Sequence, residues 1–290
     1  MRRRAAKSYH AANQGRNAAV SCGMRHVPLL ASRPARWVAA CVLSGLLAAC
    51  NLHLGTGIEV HDTWTRSYTV KPGVVLEIHE TSGLVHVDAG DGDAIVVNAT
   101  RFTKAPTEEA AKAKLAGFTI AETVTDERVM LDGTGQGASP VADDSRRVDY
   151  RITVPRSAAV TIRSVASEIR VTGIAGVLHV ESVNGRIAGT GLGSGADVRI
   201  VNGTVRLDFG TFGGSGVRCK MTNGELVVTV PADTKATIAA SIVNGEIHTE
   251  KLSVAVREQT GRSLTGTIGG GGPDIRLEMV NGDVRIVGKP

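Results

Sequence analysis

Three aspartates that lie close together are the first residues in this sequence that could do chemistry. Asp88, Asp91 and Asp93 alternate with Gly90 and Gly92, and carboxylate oxygens on a tight loop can bind Ca²⁺. The spacing differs from that of a helix-loop-helix calcium site, and the glutamate that closes such a loop is missing. Because Asp and Gly are also the ordinary residues of a solvated turn, we expect a turn here and no metal site.

Two histidines offer a second possibility. His79 and His86 lie in neighbouring segments that read as strands, so the two imidazoles could face one metal ion. No third ligand occurs at a useful spacing, and the sequence contains no nucleophile elbow, phosphate-binding loop or His-Glu-x-x-His motif. We therefore expect exposed strand histidines, no cofactor and no catalytic residues.

Cys50 is the cysteine with a predicted chemical role. It follows an uncharged apolar run at 37–49, which is too short to span a bilayer comfortably and is preceded by arginines, as in a secretory signal. The residues Leu47-Ala48-Ala49-Cys50 resemble the lipobox of bacterial lipoproteins. That resemblance implies cleavage before Cys50 and acylation of its thiol, which is a nucleophile suited to alkylation. Met24 is an alternative start of the signal.

Acylation would fix the mature protein to a membrane, because several acyl chains at one terminus give a stable anchor. By resemblance to lipoprotein sorting, Asn51 after the lipidated cysteine favours the outer membrane of the cell envelope.

Eight of the 33 lysines and arginines precede residue 50, whereas all 28 aspartates and glutamates follow it. The mature chain is therefore slightly acidic. We expect the lipid bilayer and an unidentified envelope protein or glycan as partners, and no nucleic acid.

The composition predicts a thin core. Only 3% of the residues are aromatic and 35 are glycine, so small β-branched side chains must supply most of the buried area. Cys22 and Cys41 belong to the targeting segment, which leaves Cys219 without a partner for a disulfide bond. We expect Cys219 to be a small buried hydrophobic residue.

Five Asn-Gly steps mark the elements that position these residues. They are Asn184-Gly185, Asn202-Gly203, Asn223-Gly224, Asn244-Gly245 and Asn281-Gly282. The first four are 18 to 21 residues apart, and the last interval of 37 is close to two periods, which predicts a degenerate step at Thr265-Gly266. Apolar or small side chains recur two and four residues before each Asn and three residues after it, so the buried side switches at each step. A corner produces this switch, and Asn and Gly tolerate the positive φ that it requires.

Two architectures fit this pattern, namely a chain of two-residue hairpins and a solenoid in which equivalent residues stack. The near-constant period favours the second. The prediction is an all-β, parallel β-solenoid of the β-helix type with about 18–21 residues per coil, plus one short helix in an insertion. Ser82-Gly83 and Ala166-Ser167 fit the corner template more weakly.

The helix is predicted at residues 107–115, with Gly117 as its stop. The chain divides into four parts, which are a lipoprotein signal peptide at 1–49, a lipidated tether at 50–57, an irregular β region with the helix at 58–160, and solenoid repeats at 161–288.

Several parts occur in a characteristic order. A Gly-Val-Val-Leu-Glu-Ile strand at 73–78 precedes Ser-Gly and Val-His-Val, then come the short helix and Tyr-Arg-Ile-Thr-Val-Pro at 150–155. Tandem Asn-Gly steps follow, and the glycines at 269–272 precede the last of them. Over roughly residues 58–288 this order resembles a bacterial family of candidate adhesins of unknown function. The resemblance implies a β-repeat domain with a role in adhesion or envelope interaction.

A stacked solenoid aligns its outward residues into columns, and a specialised binding face should show one kind of chemistry. Three residues before each Asn stand Glu181, Arg199, Lys220, Ser241 and Glu278. Four residues after it stand Ala188, Arg206, Val227, His248 and Arg285. These mixed charges are typical of a solvated face. We therefore predict a membrane-anchored, non-enzymatic envelope lipoprotein. The alternatives are a polysaccharide-active β-helix enzyme and an accessory or sensor protein in envelope-stress signalling.

Overall fold

The computed structural model describes residues 57–135 and 145–290. The predicted signal peptide and Cys50 lie outside the described residues, so lipidation stays a prediction. Within those ranges the chain forms fifteen strands and one helix. Their bounds are β1 Ile58–Thr69, β2 Val75–His79, β3 Ser82–Gly90, β4 Ala94–Ala105, α1 Glu108–Ala116, β5 Ala121–Val124, β6 Arg128–Asp132, β7 Arg146–Pro155, β8 Ala159–Thr172, β9 Leu178–Leu192, β10 Gly195–Phe209, β11 Gly216–Pro231, β12 Ala236–Glu250, β13 Val254–Thr260, β14 Ser263–Ile268 and β15 Asp274–Lys289.

The long strands β8 to β12 and β15 each bend at a corner and so contribute to two facing walls. We call the part before each corner the first wall and the part after it the second wall. β10 pairs in parallel with β9 and β11 on both sides of the corner, with Asn202 in register with Asn184 and Asn223. Hairpins are excluded at these steps because a hairpin pairs its own two arms antiparallel. The predicted parallel β-solenoid is confirmed.

Backbone geometry and a column of amides hold the corners. Gly203 has φ +148°, and a side chain there would place its Cβ 1.8 Å from the carbonyl oxygen of Gly185 on the next coil. Only glycine satisfies both constraints. Each asparagine amide donates to the Oδ1 of the next asparagine at 2.7–2.9 Å, in the order Asn244, Asn281, Asn223, Asn202, Asn184. The Asn-Gly steps are therefore part of the architecture.

Shorter strands continue both walls beyond β8. β2 and β3 pair in parallel with the two arms of β8, and Ser82-Gly83 is in register with Ala166-Ser167, which confirms both of the weaker corners. β6 and β7 pair with β2 and β3, and antiparallel pairing then adds β5 to the first wall and β4 and β1 to the second. The helix also agrees with its prediction, since Thr107 caps α1 at its start and Gly117 at its end.

The order of strands in the sheet departs from their order in the chain. β15 lies between β11 and β12 and pairs in parallel with both. The predicted step at Thr265-Gly266 is wrong, because these residues lie in β14 and pair antiparallel with Ala239 and Ile238 of β12. A short turn at 261–262 joins β13 to β14, so the chain reverses there where a coil would have continued. The long interval therefore holds a hairpin and not a degenerate coil.

Aliphatic side chains fill the space between the walls. One inward column, four residues before each corner, is at most 4% exposed and consists of Val180, Val198, Cys219, Leu277 and Ala240. Burial of a larger side chain of this type contributes about 1.5–3 kcal/mol. Cys219 is buried as predicted, and burial raises the pKa of its thiol, so the thiol stays protonated and unreactive. Within the described ranges no helix is long and apolar enough to cross a membrane.

Candidate interaction face

The outer surface of the first wall carries three columns of side chains that run across the coils. Alternate residues of a strand point to the same side, so each coil contributes the residues one, three and five positions before its corner. The coils follow each other in the order β8, β9, β10, β11, β15, β12. Because neighbouring strands are about 4.8 Å apart, equivalent side chains lie close enough to act together. We call this surface the ladder face.

The column next to the corner is apolar and exposed at five of its six positions, and we call it the valine ridge. Its members are Val165, Val183, Val201, Thr222, Val280 and Val243. The valines are 40–55% exposed. A contiguous apolar patch on a polar surface marks a site of interaction, whereas single exposed valines would need no explanation. Strand alternation alone places the valine of each Val-Asn-Gly outward, but in the sequence each valine is indistinguishable from an ordinary strand residue.

The second column, three residues before the corner, is charged. It consists of Arg163, Glu181, Arg199, Lys220, Glu278 and Ser241. Glu181 contacts Arg199 at 2.7 Å and Arg163 at 3.3 Å, and Lys220 lies 2.9 Å from Glu278. Although burial opposes ionisation, the hydrogen bond from Arg199, the neighbouring His179 and the hydrogen bond from Arg163 keep the pKa of Glu181 below its usual value. The predicted compensation of mixed charges is confirmed, and Glu181 is unsuited to donating a proton.

A groove of about 740 Å³ runs along these two columns from β8 to β12. Ile200, Met221 and Met279, which lie two residues before their corners, also line it. All three are 4% exposed, so their side chains belong to the core beneath the groove. The groove therefore combines the apolar valine ridge with a rim of ion pairs, which suits the binding of an elongated partner.

A buried ion-pair cluster continues the charged column at the β2 end. Glu77 is 5% exposed. Its carboxylate lies 3.0 Å from Arg128, 2.9 Å from Arg163 and 2.7 Å from His79. His79 therefore contacts an acid of its own strand. His86 lies in β3 on the second wall, so the two histidines that the sequence placed side by side belong to different walls.

The aspartates of the candidate calcium loop also lie apart from the groove. Asp88 is in β3, and Asp91 and Asp93 belong to the bend between β3 and β4. The side chain of Asp91 is 98% exposed, and its nearest cation is Arg156 at 3.6 Å. Asp91 and Asp93 form the solvated turn that the sequence predicted, whereas Asp88 belongs to a strand. In the part of the chain that the structure describes, no three His, Cys, Asp or Glu side chains form a group that could hold a metal ion.

The chain matches a known protein family. The family model described as Toastrack DUF4097 matches residues 75–287. A candidate cell adhesion protein from Clostridium sporogenes is 12% identical, with 79% of this chain and 100% of that chain covered at a TM-score of 0.44. A candidate adhesin from Bacteroides fragilis is 15% identical, with coverages of 78% and 96% and a TM-score of 0.36.

A third solved structure is a candidate lipid binding protein from Parabacteroides distasonis. It is 10% identical, with 78% of this chain and 96% of that chain covered at a TM-score of 0.29. No curated protein matches the sequence.

Proposed function

We propose, from the premise that this chain belongs to the Toastrack DUF4097 family, that it is a lipid-anchored envelope protein that binds a partner through the ladder face. In this proposal the domain is a binding module and not an enzyme. The observation that carries the proposal is the valine ridge, a column along a groove to which five of six successive coils contribute an exposed valine.

The anchor rests on the residues around position 50. The apolar run at 37–49, the Leu-Ala-Ala-Cys sequence and the arginines before them support export, followed by acylation of Cys50. Asn51 supports retention at the outer membrane. Only seven residues separate Cys50 from the start of β1 at Ile58. Since an extended residue spans at most about 3.6 Å, the tether would keep the domain within a few tens of ångströms of the lipid surface.

The chemistry of the ladder face supports binding more than catalysis. A glycan-cleaving β-helix needs carboxyl groups that exchange protons or attack a sugar. Glu181 in the groove is held by two arginines, and its lowered pKa leaves it a poor acid. Glu278 is paired with Lys220. An apolar ridge with a charged rim is instead the usual composition of an interface, with its apolar centre and polar edge. A protein or glycan of the envelope is the partner class that we propose.

Replacement of the anchoring cysteine tests the first half of the proposal. The Cys50→Ser variant should lose lipid labelling and leave the membrane fraction, because the thiol is the acylated atom. The measurement is fractionation of cells grown with labelled palmitate. Unchanged membrane retention of the variant would rule out the anchor.

Charges placed on the ridge test the second half. The double variant Val183→Asp/Val201→Asp should reduce co-sedimentation of the Cys50→Ser chain with purified envelope fractions by about tenfold or more, since desolvating a new carboxylate at an apolar interface is costly. Val96→Asp is the matched control, because Val96 is 37% exposed and lies in β4 on the second wall. Equal loss in both variants, or no loss in either, would contradict a role for the ladder face.

A further inference from the structure

The two walls end at different strands. Beyond β12, the first wall continues with β14, which pairs with the part of β12 before its corner, and then with β13, which pairs with β14. The part of β12 after the corner, residues 244–250, pairs with β15 on one side. Among the described residues no strand pairs with its other side. The last coil of the solenoid is therefore only half covered, and we call residues 244–250 the open edge.

The core is exposed where this cover is missing. The inward residue three positions after the corner is at most 1% exposed in the coils with Ile187, Val205, Leu226 and Val284. Its counterpart Ile247 in β12 is only partly buried. Val256 of β13 is in register with the buried Gly266, so it faces the core side, yet it is 49% exposed. Ile247 and Val256 are therefore inward-facing apolar residues, one on each wall, that lack cover.

The backbone of the open edge is also unsatisfied. A strand with a partner on one side leaves every second N–H and C=O on its other side without a strand to bond to. Such an edge is a template for another strand, and proteins usually protect it with proline, lysine, a bulge or an inward charge. Residues 244–250 contain neither proline nor lysine, and their pairing with β15 runs without a register shift.

The outward side chains of the open edge are acidic and favour a basic partner. Glu246 and Glu250 point away from the core and are exposed. Glu246 is in register with Asp283 of β15, and like charges on neighbouring strands repel. Elsewhere in this column Glu168 and Glu225 each contact an arginine, whereas Glu246 contacts His248 at 3.3 Å. A basic side chain on an added strand would relieve this repulsion.

We infer that the open edge is a docking site for one extended strand of another protein, in which basic side chains alternate with apolar ones. The backbone of the strand bonds to residues 244–250. Its apolar side chains cover Ile247, and its basic side chains face Glu246 and Glu250. This mode of recognition takes affinity from main-chain bonds and specificity from alternate side chains. The site is separate from the groove of the ladder face and goes beyond the function proposed above.

The probe is a labelled seven-residue peptide of alternating lysine and valine, compared with a peptide in which glutamate replaces lysine. Fluorescence anisotropy with the purified full-length chain should give at least about tenfold tighter binding of the lysine peptide, since two or more new ion pairs form. Hydrogen exchange should slow at residues 244–250 in the complex. Glu246→Lys/Glu250→Lys should reverse the preference between the two peptides.

Two controls keep this test independent of the proposed function. Glu108→Lys/Glu109→Lys makes the same change in net charge on the exposed side of α1 and should leave the preference unchanged. Val183→Asp/Val201→Asp should weaken envelope binding without affecting the peptide. The inference is overturned if neither peptide binds, if the charge reversal has no effect on the preference, or if protection appears away from the open edge. Self-association of the peptide-free chain with residues 244–250 protected would also overturn it, because the occupant would then be a second copy.

Discussion

The inward column nearest the corner is polar in one half of the stack and apolar in the other half. In the coils of β2 with β3, β8 and β9, the residue two positions before the corner is Glu80, Ser164 or Ser182. In β10, β11, β15 and β12 it is Ile200, Met221, Met279 or Ile242. All seven side chains are 3–8% exposed, so the polar and the apolar half are buried to the same degree and differ only in chemistry.

The two halves hold the same corner in different ways. The apolar half combines aliphatic burial with the column of asparagine amides, which ends at Asn184 of β9 in the polar half. The polar half relies on hydrogen bonds such as the one between Ser164 Oγ and Ser182 Oγ at 3.0 Å. In that half neither carboxylate oxygen of Glu80 has a partner at hydrogen-bond geometry among the described residues. The same backbone path is thus compatible with a polar and with an apolar interior. The stability of the polar half should depend on pH.

The largest effect is expected at a glycine of the apolar half. Gly203→Ala combines a φ of +148° with a Cβ 1.8 Å from the oxygen of Gly185. Backbone strain and overpacking together should lower the free energy of unfolding by about 4 kcal/mol. Denaturation in urea measures this change. Gly213→Ala is the control, since no atom lies within 4 Å of a Cβ there. Equal stability of the two variants would mean that the corners tolerate side chains.

The next effect belongs to Glu80 in the polar half. Burial, with a smaller contribution from the charge of Asp149, raises the pKa of Glu80 from 4.5 to about 7, against the opposing effect of the nearby Ser167 hydroxyl. A pKa raised in the folded state favours the protonated form, so the stabilisation is complete below pH 4.5 and is lost as the pH rises through about 7. The free energy of unfolding should fall by about 3 kcal/mol from pH 4.5 to pH 8.

Glu80→Gln isolates this group, because the amide has the same shape and does not titrate. Urea denaturation of both chains at pH 5, 6, 7 and 8 should give a flatter profile for the variant and higher stability than the parent at pH 8. Parallel profiles would assign the pH dependence to other groups and remove the contrast between the two halves.

The smallest expected loss of stability follows replacement of an asparagine in the amide column, and it depends on where in the column that asparagine lies. Asn223 donates to Asn202 and accepts from Asn281, whereas Asn244 at the end of the column donates to Asn281. At about 0.5–1.5 kcal/mol for each hydrogen bond, Asn223→Ala should destabilise the chain by about 1–2 kcal/mol and Asn244→Ala by about half as much. Thermal unfolding of both variants checks the ratio. A larger loss at Asn244 would show that the column does not act through its hydrogen bonds.

The corners and the inward alternation were predictable because they are local. Each Asn-Gly step specifies positive φ within two residues, and the apolar residues on either side specify which face is buried. The neighbour of each strand was not predictable, because the corner at Asn281 carries the same chemistry as its counterparts and would fit beside any of them. Its place between β11 and β12 depends on contacts distant in sequence.

The site was predictable in part for the same reason. The sequence located the charged column, and its alternation contained the valine ridge, whose residues read as ordinary strand formers until stacking aligned them. The burial of Glu80 was not predictable, because His79-Glu80-Thr81-Ser82 reads as a polar turn. Only the fold places its carboxyl between the walls.

The position of β15 has a consequence for how the molecule is assembled. The segment from β8 to β12 could wind one coil onto the next as the chain emerges, but in the finished stack β12 must not rest on β11. Either β12 stays without a parallel neighbour until β15 is synthesised, or it first pairs with β11 and is displaced when residues 274–289 insert between them. Contacts between distant segments slow folding, and here a strand that is synthesised after β12 forms a layer inside the stack. The stack between β11 and β12 can therefore close only after residues 274–289 have been synthesised.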